Sequence, residues 1–144
     1  MKILILGAGR VGSSLASTLS RENYDVSIID HNKDKLLRLQ EDFDLATVIG
    51  HASHPSTLES AGADEETILL AVTSSDECNI ASCQIAKSKF KVKKTICRLS
   101  DASYLDSLDA FGKGNIDIAI SPENEVTDHL VDLIKHPGAE QIET

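Results

Sequence analysis

Apolar residues in this chain fall into short unbroken runs, separated by stretches in which apolar positions return every three or four residues. KILIL at Lys2–Leu6, VSIID at 26–30, LATVI at 45–49, TILLAVT at 67–73, TICRL at 95–99 and IDIAI at 116–120 read as six strands. Runs of this kind fit strands covered on both faces. Between the first two runs, Val11, Leu15, Ala16 and Leu19 keep helical spacing, and Asn23 offers a stop. Asn32 is placed to cap a second helix carrying Leu36, Leu37 and Leu39. Pro55 opens a short third helix with Leu58 and Ala61 inward and Gly62 at its end. Asp76 is placed to cap a longer fourth helix with Ile80, Cys83 and Phe90 along one side. A fifth, about 102–111, uses Leu105 and Leu108, and Gly112 and Gly114 mark a turn. Pro122 lets a last helix run over 123–135 with Val126, Leu130, Leu133 and Ile134 on its apolar face.

Six strands alternating with helices call for an α/β fold, because crossovers between parallel strands are right-handed and carry the helices to both faces. The expectation is a Rossmann-like doubly wound parallel six-stranded sheet of order 3-2-1-4-5-6. At 144 residues the chain has room for one domain. The pattern divides it into a core over 1–121 and a final helix and tail over 122–144.

Composition narrows the picture. Aromatic residues are 3% against 41% hydrophobic overall, so the core is built from Ile, Leu, Val and Ala. The formal charge of −9 is uneven, since residues 1–100 hold 12 of the 14 basic side chains but only 13 of the 23 acidic ones. An acidic chain almost without stacking aromatics lacks the footprint of a nucleic-acid binder. The one basic cluster, Lys87, Lys89, Lys91, Lys93 and Lys94, falls at a predicted helix end, where cations are favourable. Cys78, Cys83 and Cys97 fit neither a C-x-x-C pair nor a metal set, so a reduced, cytoplasmic protein is expected. No apolar stretch approaches the roughly 20 residues that cross a bilayer.

The candidate chemistry sits at the first turn. GAGRVG follows a predicted strand, opens a predicted helix, and has an acidic residue, Asp30, at the end of the next strand. These three conditions together make a G-x-G-x-x-G match informative. Gly7 permits the tight turn, Gly9 lets backbone approach a pyrophosphate, and Gly12 allows helix to pack on strand. The N–H groups of the helix start then face phosphates. Asp30 is placed to accept from both adenosine ribose hydroxyls and to repel a 2′-phosphate, which favours NAD(H) over NADP(H). Ligands lie beyond the carboxyl ends of the strands, so Gly50, His51, Ala52, Thr73, Ser74 and Arg98 are expected around the same pocket. His51 and His54 are three apart in a loop without an obvious third ligand, which is poor support for a metal. No catalytic set is apparent.

MKILILGAGRVG, the strand ending in Asp30, the GHASHP loop, LLAVTSSDECNIASCQIA and ISPENEVTDHLVDLIKHPGA resemble the N-terminal RCK (TrkA-N, or KTN) domain of the regulatory subunits of bacterial Trk potassium-uptake systems. The resemblance runs through nearly the whole chain. It implies NAD(H), or alternatively ATP/ADP, bound at Gly7, Ala8, Gly9, Arg10, Val11 and Gly12, at Asp30, at Thr73 and Ser74, and at Arg98, with His51 and Ala52 lining the pocket. It also implies an N-terminal piece of a longer chain that acts on the cytoplasmic face of the plasma membrane. The implied partners are a membrane potassium-translocating subunit of the TrkH/TrkG type and further copies of itself, pairing into a dimer that builds a tetrameric ring. The helix over 123–135 resembles the crossover helix through which such domains pair, and packing on its own sheet is the alternative. Two other readings stay open at this point: the cofactor half of an NAD-dependent dehydrogenase, and an RCK domain of another potassium channel or efflux system.

Overall fold

The computed structural model describes residues 1–111, 114–121 and 127–135. Its six strands are β1 (Lys2–Leu6), β2 (Asp25–Asp30), β3 (Ala46–Ile49), β4 (Thr67–Ala71), β5 (Lys94–Arg98) and β6 (Ile118–Ile120). They form one sheet of order β3-β2-β1-β4-β5-β6 with every pairing parallel, as the alternating pattern predicts. β1 lies between β2 and β4, with Leu6 opposite both Ile29 and Ala71, so the turn after β1 opens where the strand order reverses.

Alternate side chains of the strands feed two cores. Ile3, Ile5, Ile28, Ile68, Leu70, Ile96 and Ile118 face one side, where they meet Val11, Leu15, Ala16 and Leu19 of α1 (Arg10–Arg21) and Leu36 and Leu39 of α2 (Lys33–Asp42). Leu4, Leu6, Ile29, Leu69, Ala71 and Cys97 face the other, under Leu58 of α3 (Pro55–Ser60) and Cys83 and Ala86 of α4 (Asp76–Phe90). Burying each Leu or Ile side chain contributes about 1.5–3 kcal/mol, so the central strands fix the platform on which the loops sit.

Several elements end for the reasons the sequence suggests. Asn23 adopts φ 69° just past α1, the left-handed conformation Asn tolerates. The Asn32 side chain accepts from the N–H groups of Asp34 and Lys35 and so caps α2. Pro55 stands in the first turn of α3, and Gly62 follows that helix at φ +80°.

Others differ. Leu37 is 45% exposed rather than in the core, because only Leu36 and Leu39 share the inward face and position 37 is turned about 100° from 36. α4 is capped by Ser75, whose hydroxyl accepts from Cys78 N–H at 3.1 Å, and not by Asp76. The Asp76 carboxylate instead accepts from Ser100 and Asp101 N–H. Ile80 and Phe90 are only half-buried, and the inward face of α4 carries Asn79 and Ser82 beside Cys83 and Ala86. The single helix expected over 102–111 is two, α5 (Ala102–Asp106) and α6 (Leu108–Phe111), parted at Ser107. The last strand is shorter than 116–120, since the Asp117 carboxylate turns back to accept from Thr95 N–H at 2.8 Å.

The final helix is described from Thr127 to Lys135 as α7, and Pro122, Glu123 and Val126 lie outside the described residues. Leu130, Val131, Leu133 and Ile134 are buried in the same core as α1. Lys135 donates to Glu22 at the end of α1, and that contact raises the lysine's pKa above its ordinary value.

Candidate functional site

β1 delivers the chain into Gly7 at φ +103°, a region L side chains avoid. A Cβ there would stand 3.0 Å from Thr73 Cα, so the turn lies directly against the chain leaving β4. At Gly12 a Cβ would fall 1.7 Å from the Gly7 carbonyl oxygen, so the first turn of α1 rests on the turn itself. Gly9 differs from both, because a Cβ there would meet nothing within 4 Å. Gly9 is the N-cap of α1, and no side chain caps the helix. The first N–H groups of a helix have no partner within it, and here they follow directly on a glycine whose outer side is open. This is the geometry an anionic phosphate requires.

β2 delivers Asp30 beside that opening. Its side chain is 9% exposed; Oδ2 accepts from Ala8 N–H and Oδ1 from Asn32 N–H, each at 2.7 Å. An ionised carboxylate has about four acceptor sites, so about two remain for further donors such as vicinal ribose hydroxyls. The Ala8 bond ties the glycine turn to β2, so the carboxylate both shapes the site and faces it.

Gly7, Gly9, Asp30, His51, Ala52, Thr73 and Ser74 line one cavity of about 370 Å³, which lies at the carboxyl ends of β1, β2, β3 and β4. The other expected residues stand around it. Ala8 donates to Asp30, while Val11 and Gly12 are buried at the start of α1. Arg10 lines an adjoining groove with Lys35 and Arg38, and among the described residues none of these three cations makes an ion pair. Arg98 lies behind the cavity wall, where Nη1 donates to the Thr73 carbonyl at 3.2 Å.

His51 and His54 stack, with ring centroids 4.5 Å apart and planes at 16°. Ser53 N–H approaches His51 Nδ1 at 3.3 Å and the Ser53 hydroxyl lies 2.9 Å from the same nitrogen, which holds the ring in place. Among the described residues no group of three or more His, Cys, Asp or Glu side chains gathers to supply the pair with a further ligand.

The sequence pattern did not point to every contributor: His31, Lys35 and Cys78 are among the further residues that line the cavity, and Asn79 holds Thr73 in place. Lys35 is readable afterwards as the cation one turn into the helix that follows Asp30. Asn79 left a different signal, a polar residue on a helical face that should be apolar.

A parallel sheet of this order, with a glycine turn after β1 and an acidic end to β2, defines the Rossmann class of nucleotide-binding folds. Within that class the chain belongs to the TrkA-N domain family, whose model matches residues 3–122. The Trk system potassium uptake protein TrkA of Vibrio alginolyticus is 45% identical over 145 residues, covering 99% of this chain and 32% of that protein. The TrkA of Halomonas elongata is 43% identical over 99% of this chain, and the chain spans 32% of its length too. Among solved structures, the TrkA-N domain of the inner membrane protein ybaL from Escherichia coli superposes with a TM-score of 0.74 at 19% identity, over 92% of this chain and 96% of that one. That likeness bears on the fold alone.

Proposed function

We propose that this domain is a nucleotide sensor rather than an enzyme, taking NAD(H), or ATP/ADP, as a signal. One observation carries the reading: a nearly buried Asp30 carboxylate with spare acceptor capacity stands beside an uncapped helix start, in a cavity of about 370 Å³. In the bound state Asp30 would take the adenosine ribose, the N–H groups of Arg10, Val11 and Gly12 the phosphates, and His51 and Ala52 the base side of the cavity. Arg10 and Lys35 add positive charge next to the phosphate position.

The family and the named relatives support the larger role of a regulatory subunit in a Trk-type potassium-uptake system. In that role the domain would work on the cytoplasmic face of the plasma membrane, as a homo-oligomer against a membrane potassium-translocating subunit. Among the described residues no helix is long and apolar enough to cross a membrane. A nucleotide changes the state of such an assembly only by binding two of its conformations unequally.

The test compares NAD⁺, NADH, ATP and ADP by thermal denaturation, with a turnover assay alongside. Saturation at about 100 times Kd adds about 2.7 kcal/mol to the folded state, so an effector raises Tm clearly, and no nicotinamide is oxidised or reduced. Turnover with a small hydroxy acid would overturn the sensor reading in favour of a dehydrogenase half, and no shift with any of the four would overturn the nucleotide site itself.

A further inference from the structure

Asn79 is 0% exposed, and its amide is committed to two loops. Oδ1 accepts from Thr73 N–H at 3.0 Å and from the Thr73 hydroxyl at 2.6 Å. Nδ2 donates to the Thr73 carbonyl at 3.1 Å and to the Arg98 carbonyl at 2.9 Å. One turn earlier, the Asp76 carboxylate accepts from Ser100 N–H at 2.9 Å and from Asp101 N–H at 2.8 Å. The chain after β4, which is a wall of the cavity, and the chain after β5 are therefore bonded to the same first two turns of α4.

A buried amide with every bond made resists piecemeal movement, because leaving one of its partners unsatisfied costs about 1–3 kcal/mol. A shift of Thr73 must either break one of these bonds or carry Asn79 and Arg98 with it. Thr73 lines the cavity and is also the residue against which Gly7 packs, so a ligand seated in the cavity bears on one end of this network. At the other end, Ser100 and Asp101 are exposed.

We propose that Asn79 is a positioning residue that couples occupancy of the cavity to the loop between β5 and α5, so that the arrangement of Ser100 and Asp101 follows the nucleotide state. This rests on reading the cavity as a nucleotide site and adds the route by which its state leaves the pocket. The coupling is reciprocal: whatever holds the loop in one arrangement changes nucleotide affinity by the same factor.

The test follows backbone amides by nitrogen-15 NMR as NADH or ADP is added. In the unsubstituted protein the resonances of Gly7 and His51 move with ligand, and those of Ser100 and Asp101 move with the same saturation curve. Asn79→Asp keeps the acceptor to Thr73 and leaves at most one of the two donations, so the loop response falls to less than about half while Gly7 still responds. Asp76→Ala cuts the other link and leaves the Thr73 contacts in place. It weakens the response at Ser100 and Asp101 while Gly7 still responds, and Asn79→Ser, which is too short to span Thr73 and Arg98, takes the place of Asn79→Asp if that variant does not fold. A role confined to stability would weaken cavity and loop responses together. The coupling is overturned if Gly7 responds and the loop does not in the unsubstituted protein, or if the loop responds fully in the folded Asn79 variant. Silence at Gly7 and His51 with either nucleotide would instead overturn the nucleotide reading itself.

Discussion

The three glycines of the first turn do different work, and substitution separates them. Gly12→Ala drives a methyl group to 1.7 Å from the Gly7 carbonyl oxygen, an overlap relieved only by parting α1 from the turn. Overpacking of a tight contact typically costs about 1–3 kcal/mol or more, so Tm and binding both fall. Gly9→Ala meets no atom within 4 Å and needs no unusual backbone angle. Its Tm stays close to that of the unsubstituted protein, while the methyl group occupies the space assigned to phosphate and weakens NADH by at least about ten-fold. Calorimetry with thermal melts reads both quantities; a Gly9→Ala protein with full affinity would show that phosphate does not lie there. At this scale the sequence was informative, because Gly7, Gly12 and Asp30 answer to backbone geometry and to a fixed place after a strand. Arg98 was harder, since its position at a strand end is readable but its reach to the Thr73 carbonyl depends on side-chain direction.

Among the elements, strands and caps were legible wherever local chemistry decides them, as with the left-handed Asn23 and the Asn32 cap. α4 was not, because its inward face closes over two loops as well as the sheet, and Asp76, Asn79 and Ser82 replace the apolar stripe that periodicity looks for. Ser75 and Asp76 are both good caps, and only the tertiary pull of Ser100 and Asp101 N–H on Asp76 selects Ser75. The next cap gives a pH-dependent prediction. Asp101 accepts from the Ser103 hydroxyl at 2.7 Å and from Ser103 N–H at 2.9 Å, which lowers its pKa below the ordinary 3.8. A carboxyl lowered on folding adds stability above its unfolded pKa, and that stability is lost as pH falls through the folded value. Asp101→Asn should thus lower Tm at pH 6, with the gap to the unsubstituted protein closing below about pH 4. A gap that does not narrow at all as pH falls from 6 through the acid range would show that the cap does not depend on the charge.

For the whole molecule, alternation of strand and helix was enough to give sheet order, and sheet order placed the cavity, because the carboxyl ends of β1 and β4 part at the reversal. What alternation could not give is the use of the last helix. The described part of α7 buries Leu130 and Ile134 in its own core, while Asp128, Asp132 and Lys135 are outward. A sensor built on this cavity depends on adenine nucleotide being held through ribose at Asp30. Its most direct test is calorimetric titration of NADH and NADPH, in parallel, into the unsubstituted protein and Asp30→Ala. The prediction is that Asp30→Ala loses at least about ten-fold in NADH affinity, as loss of hydrogen bonds to a charged group implies, and that the preference for NADH over NADPH closes. General damage to the turn would weaken both ligands alike. An Asp30→Ala protein that binds NADH as the unsubstituted protein does, with the same preference over NADPH, would contradict the account.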